Sequence, residues 1–374
     1  MTEQPPSSPD TTSDNAALID AITDLLSPLL NAMEALSYVA RHLHPPKLGE
    51  LVVSVADVDP DLRQGLVHFQ TQTWPPHLKD FAEQMVIAAQ AVCLGFDGLR
   101  EAAAAPDGTR QAYRGIRQNN KAFAALYPSA TMLPPISRFF LDDQGRRDEA
   151  LVEKLAKADG RRDNVGVMHG NNDKDTRGGF SMYVPEYYDE TVAYPLIMAL
   201  HGGSGHGQDF LWSWLREARS RGAILVTPTS LEGTWSLMAP EQDSANIEKL
   251  LTFVRDQWNI DGDHLLLTGM SDGGTFTFVA GLGEGSPFTH LAPVSASFHP
   301  LLLEMMDPAR IKGLPVYLTH GVLDWMFPIQ IARDAERALS AAGAKLTYRE
   351  IADLSHTYPS DENSRILDWL LQSE

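Results

Sequence analysis

The chain has 374 residues, 43% of them hydrophobic, with 49 acidic against 30 basic side chains and a formal charge of −19. That length suits one large α/β domain with an extension, or two domains, and the apolar share is enough for a sizeable core. The negative balance argues against nucleic acid and anionic membrane surfaces as partners, since both would be repelled, and its plain reading is solubility.

Residues 1–15 are rich in Pro, Ser, Thr and acid, which predicts a disordered tail. They carry neither the basic nor the apolar region of a secretory signal. No uninterrupted apolar run approaches the roughly 18 to 20 residues that span a bilayer, so no membrane is expected and the default location is cytoplasmic. The lone cysteine, Cys93, has no disulfide partner and falls on the apolar side of a helical pattern, as a small buried hydrophobe does.

From Leu18 an apolar stripe recurs at steps of three and four through Ile22, Leu25, Leu29, Met33, Leu36, Ala40 and Leu43, which predicts an amphipathic helix. Pro28 either kinks it or starts a second helix at Leu29. Leu51 to Val55 fits a short strand or a buried helix. A clearer helix runs from about His77 to Ala105, another through Tyr113, Ile116, Phe123 and Leu126, and a further one lies around Asp148 to Ala158. Residues 16–160 thus read as an all-helical domain without a catalytic constellation. Its long stripe fits a lid or a homodimer contact.

After Gly160 the texture changes to short apolar runs alternating with helical stretches, which predicts an α/β domain over residues 161–374. Val165 to His169 and Phe180 to Val184 bracket a turn-forming segment and read as a hairpin. Asp173 and Asp175 within it lack the Gly and closing Glu of a calcium loop, so turn chemistry is the better reading. Further strands are expected at Leu196–Leu200, Ile224–Thr227, Leu265–Thr268, Leu291–Val294, Val316–Thr319 and Leu346–Ile351. Helices fit between them, and parallel strands with crossover helices make the economical topology.

One stretch organises that half. Leu265 to Leu267 lead into Gly269-Met270-Ser271-Asp272-Gly273, and a helical pattern follows from Gly274. A serine between two glycines on a strand-to-helix corner is a nucleophile elbow, and the glycines leave room where side chains would collide. A serine hydroxyl needs a base, and the base needs an acid to hold its tautomer. Asp324 follows the Val316 strand and His356 follows the Leu346 strand, in the order this architecture uses. Asp353 is a second acid near His356, three residues away and better placed to cap its own loop. Glycines in His201-Gly202-Gly203-Ser204-Gly205 let backbone N–H groups turn inward after the Leu196 strand. Gly203 and Asp272 are the expected oxyanion donors, with Ser204 the alternative to Gly203.

Strand-HGG, then GMSDGG, then HGVLD, then a late loop histidine resembles the α/β-hydrolase superfamily, and within it the phospholipase/carboxylesterase branch of acyl-protein thioesterases and polyhydroxybutyrate-depolymerase-like esterases. The resemblance runs from about Val165 to the end of the chain. It implies an α/β-hydrolase fold with a mostly parallel central sheet, preceded here by a helical domain that the family core lacks. It also implies Ser271 as nucleophile, Asp324 as acid, His356 as base, and backbone donors at Gly203 and Asp272. The residue after the serine departs from the family, which often carries Gln or Ala where this chain has Asp272.

The reaction expected is hydrolysis of a small neutral carboxylic ester, with no metal and no organic cofactor. Trp235 and Trp325 are the expected walls of the substrate pocket. A thioesterase or peptidase would use the same residues, and a scaffold with an inactive hydrolase-like domain is the rival from another class.

Overall fold

The computed structural model describes residues 11–106, 108–304 and 306–372. The chain divides into two compact units, one of Met1–Ala40 and Pro45–Ser129, the other of Arg41–His44 and Ala130–Glu374.

The first unit is helical: α1 (Thr11–His42), α2 (Leu48–Ser54), α3 (Asp59–Gln70), α4 (Lys79–Ala104) and α5 (Thr109–Leu126). Helix α1 begins at Thr11, so the last five residues of the expected tail are helical, while residues 1–10 lie outside the described residues. Pro28 sits inside this one helix, and Leu25, Leu29, Met33 and Leu36 are buried as the stripe predicts. Leu51 belongs to α2, which settles the strand-or-helix ambiguity in favour of helix. Helix α3 was not foreseen. Its Gly65 lies so close to α1 that a Cβ there would stand 2.5 Å from the Asp24 carbonyl oxygen. Helices α4 and α5 meet through small residues, a Cβ on Gly98 falling 3.2 Å from the Gly115 Cα. Contrary to the sequence expectation, α1 is long and apolar enough to cross a membrane by length and composition, a test that the buried core helix of a soluble protein also passes.

The second unit opens with α6 (Pro134–Phe139) and α7 (Glu149–Lys157). The boundary between the units therefore lies at Ser129/Ala130 rather than at 160/161. Polar contacts explain the shift. In the helices α8 (Gly207–Phe210) and α9 (Leu215–Arg221), Arg219 donates to the Ser137 carbonyl at 2.7 Å and Ser220 Oγ accepts from the Asp142 amide at 2.9 Å. These tie residues 137–142 to α9, a helix of the second unit.

The sheet has eight strands: β1 (Gly166–Gly170), β2 (Phe180–Val184), β3 (Tyr194–Leu200), β4 (Ile224–Pro228), β5 (Ile260–Met270), β6 (His290–Val294), β7 (Pro315–Gly321) and β8 (Lys345–Ile351), in the order β1-β2-β4-β3-β5-β6-β7-β8. β1 and β2 form the expected hairpin, and β2 is antiparallel to β4 as well. The remaining pairs, β3 with β4, β3 with β5, and β5 through β8, are parallel. All residues of β4 and β6 are buried, as in strands covered on both faces.

The helices α10 (Glu241–Gln257), α11 (Asp272–Leu282), α12 (Leu301–Glu304), α13 (Pro308–Ile311), α14 (Ile329–Ala341) and α15 (Asn363–Leu371) complete the unit. From β3 the chain moves outward to β4, and from β5 it moves the other way to β6. The carboxyl ends of β3 and β5 thus open at the point where the winding reverses, the usual position of a site in such sheets.

Candidate active site

Strand β5 ends at Met270 and α11 begins at Asp272, so a single residue makes the corner. That residue, Ser271, has φ 55° and ψ −118°, a strained backbone for a side-chain-bearing residue. Its neighbours hold it there. The Ser271 amide donates to the Val294 carbonyl at 3.0 Å, and the Ser271 carbonyl accepts from the Thr275 amide at 2.8 Å. The flanking glycines are required by close approach. A Cβ on Gly269 would stand 2.5 Å from the Gly273 carbonyl, and one on Gly273 would stand 2.5 Å from the His201 carbonyl.

His356 follows β8, and its Nε2 lies 3.0 Å from Ser271 Oγ. Its Nδ1 lies 2.8 Å from Asp324 Oδ2, in the loop after β7. A carboxylate only accepts, so Nδ1 carries the proton and Nε2 faces the serine hydroxyl as an acceptor. Asp324 Oδ1 is occupied by the amides of Met326 and Phe327 at 2.9 and 2.8 Å. Burial works against the charged form of Asp324, yet hydrogen bonds from His356 and the Phe327 amide, with two nearby imidazoles, hold its carboxyl below the usual aspartate range. Ser271, Asp324 and His356 are each less than 9% exposed.

Asp353, the other acid near His356, points elsewhere. It is ion-paired with Arg41 at 3.3 Å and its side chain is 62% exposed. Arg41 also binds Asp361 at 2.7 Å, its carbonyl accepts from Thr357 Oγ1 at 2.9 Å, and His44 Nδ1 lies 3.1 Å from Ser355 Oγ. Residues 41–44 are thus knitted to the loop that carries His356, a link without a sequence signal. His320 is buried behind the acid, its Nε2 donating to the Phe327 carbonyl at 2.8 Å, and burial keeps the ring neutral by pushing its pKa down.

The segment after β3 is held in three ways. His201 Nε2 accepts from the Ser230 amide at 3.1 Å while its Nδ1 donates to the Gly202 carbonyl at 2.7 Å; burial pushes this imidazole down to about 4. Trp235 Nε1 donates to the His201 carbonyl at 2.8 Å. Arg177 donates to the carbonyls of Gly205 and Ser230 at 2.8 and 3.1 Å. The Ser204 amide is spent on the Gly233 carbonyl at 3.0 Å, which leaves Gly203 as the stronger candidate donor beside the Asp272 amide.

The aromatic expectations divide. Trp235 is 1% exposed, stacks on Phe276 and braces His201, so it is a core residue and not a pocket wall as expected. Trp325 is 50% exposed beside Asp324, with Met326 at 49%, and Phe327 packs edge-on against the His356 ring. Among the described residues no group of three or more His, Cys, Asp or Glu is arranged to hold a metal ion.

A sheet in this order, with a serine elbow after β5, an acid after β7 and a histidine after β8 joined by hydrogen bonds, decides the fold. The fold is that of the α/β-hydrolases. No family model matches the chain. A probable feruloyl esterase C of Aspergillus terreus is 26% identical over 157 residues, covering 40% of this chain and 56% of that one. A bifunctional acetylxylan esterase/xylanase of Neocallimastix patriciarum is 26% identical over 173 residues, covering 45% of this chain and 24% of that one. The chain thus spans a little over half the length of the Aspergillus relative. Among solved structures, S-formylglutathione hydrolase from Staphylococcus aureus superposes with a TM-score of 0.45 at 17% identity, over 56% of this chain and 99% of that one.

Proposed function

We propose that the protein is a serine carboxylesterase acting on small carboxylic esters. The observation that carries this reading is the continuous hydrogen-bond line from Ser271 Oγ through His356 to Asp324, at 3.0 and 2.8 Å. His356 Nε2 takes the hydroxyl proton as Ser271 Oγ attacks the ester carbonyl. The Gly203 and Asp272 amides receive the oxyanion of the tetrahedral intermediate. His356 then protonates the leaving alcohol, and a water molecule repeats the attack on the acyl-enzyme with the same base. The relatives of matching sequence are described as esterases, which supports the ester over the amide as substrate.

Active-site labelling with a fluorophosphonate, together with turnover of p-nitrophenyl butyrate, tests the proposal. Both are expected in the native chain and both are lost in Ser271→Ala. A folded native protein that does neither overturns it.

The helical unit is proposed to serve as a lid or a homodimer contact, and the location to be cytoplasmic. Sedimentation velocity on the full chain reads the first point: a dimer that dissociates when the exposed Val53 and Val67 become Asp supports the contact, and a monomer at high concentration removes it.

A further inference from the structure

The residue after the nucleophile does more than lend its amide. The Asp272 carboxylate lies over the oxyanion loop: Oδ2 accepts from Thr234 Oγ1 at 2.6 Å, and a Cβ built on Gly203 would stand 2.6 Å from that same oxygen. The side chain is partly exposed. Among the described residues no Lys, Arg or His is ion-paired with it, and Oδ1 has no hydrogen-bond donor. Arg177 spends its guanidinium on the carbonyls of Gly205, Ser230 and Glu232 and on the Ser230 hydroxyl.

A bare carboxylate there opposes the chemistry. The tetrahedral intermediate places negative charge between the Gly203 and Asp272 amides, and a second negative charge held beside Gly203 repels it, screened in part because the side chain is partly exposed. The repulsion disappears when the substrate itself brings a cation to Oδ1. An anionic substrate instead meets the carboxylate twice, on entry and in the transition state.

We propose that Asp272 selects substrates by charge, so that the preferred esters carry a positively charged nitrogen near the carbonyl and those carrying a carboxylate are turned away. This rests on the esterase reading above. Asp272 is then a specificity residue through its side chain and an oxyanion donor through its backbone, and substitution of the side chain to Asn separates the two roles. Thr234 holds Oδ2, which leaves Oδ1 free to take the charged nitrogen of a substrate.

The test compares kcat/KM for three p-nitrophenyl esters: 4-(trimethylammonio)butyrate, its neutral isostere 5,5-dimethylhexanoate, and hemisuccinate. In the native enzyme the cationic ester is expected to exceed the neutral one by about five- to tenfold, and the preference shrinks in 0.5 M NaCl because part of the interaction is screened. In Asp272→Asn the cationic-to-neutral ratio falls to within about twofold of unity, and hemisuccinate gains about fivefold relative to the neutral ester. Equal ratios in both enzymes overturn the proposal while leaving the esterase standing. If the Asn variant does not fold, a native-enzyme ratio indifferent to salt overturns it equally. Loss of turnover on all three esters, with no labelling of Ser271, brings down the esterase reading and this proposal with it.

Discussion

Asp324 Oδ2 lies 2.8 Å from Nδ1 of His356, while Asp353, three residues from that histidine in sequence, faces away from it and pairs with Arg41. The two acids therefore separate cleanly by experiment. Asp324→Asn should lower kcat about 10⁴-fold, the cost of losing the acid that holds the productive tautomer. Asp353→Asn should leave kcat within about tenfold of native, because only a partly exposed ion pair is lost. Steady-state kinetics on one neutral ester checks both, and a larger loss in the second variant would reverse the assignment.

Arg41 holds the His356 loop through Asp353 and Asp361, and its carbonyl accepts from Thr357. Arg41→Ala should lower kcat by about 10- to 100-fold with little change in KM, since small displacements of a catalytic base are costly. Arg41→Lys should recover part of the loss. A variant with full kcat shows that the loop keeps its position without the clamp.

Trp235 donates its indole N–H to the His201 carbonyl at 2.8 Å in a buried setting. Trp235→Phe leaves that carbonyl unpaired and should destabilise the protein by about 1–3 kcal/mol in urea unfolding. The same change should lower kcat more than it raises KM, because the carbonyl begins the segment that presents Gly203.

Glu217 on α9 is buried, and burial pushes its carboxyl up to about 8, against about 4.3 in an unfolded chain. The native state therefore keeps a proton that the unfolded state releases. The stabilisation is complete below about pH 4.3 and is lost as pH rises through about 8. The unfolding free energy measured in urea should fall between pH 5 and pH 8.5 in the native protein, and Glu217→Gln should reduce that fall by on the order of 4 kcal/mol. Parallel curves for the two proteins would contradict the assignment of a neutral carboxyl.

Much of the α/β unit is legible in the sequence. Strands β3, β4, β6 and β7 are short apolar runs, because a strand covered on both faces leaves few polar positions, and each expected run, including those within β5 and β8, holds a strand. The elbow is legible because only glycine fits where a Cβ on residue 269 or 273 would stand 2.5 Å from a carbonyl oxygen of other main chain. The apolar stripes mark α1, α4 and α5, whereas α3 offers only the short stripe Leu62, Leu66 and Phe69 beside the Gly65 that meets α1, too little to stand out in an ambiguous segment. The helical unit ends earlier than the sequence suggests because α7 reads as a helix like those before it, while contacts without a sequence signal, among them Lys154 over the Tyr187 ring and Arg219 with the Ser137 carbonyl, place residues 137–157 with the second unit.

Local spacing, turn chemistry and strand order, all properties of neighbouring residues, suffice to name Ser271, Asp324 and His356 and to place them at strand ends. Folding alone decides how side chains distant along the chain share polar partners: that Asp324 rather than Asp353 takes the histidine, that Trp235 braces the oxyanion loop from the core, that Arg41 grips the His356 loop, and that Asp272 keeps an unpaired oxygen beside the nucleophile. A hydrogen bond depends on distance and direction in space, and sequence separations such as the 320 residues between Arg41 and Asp361 carry neither.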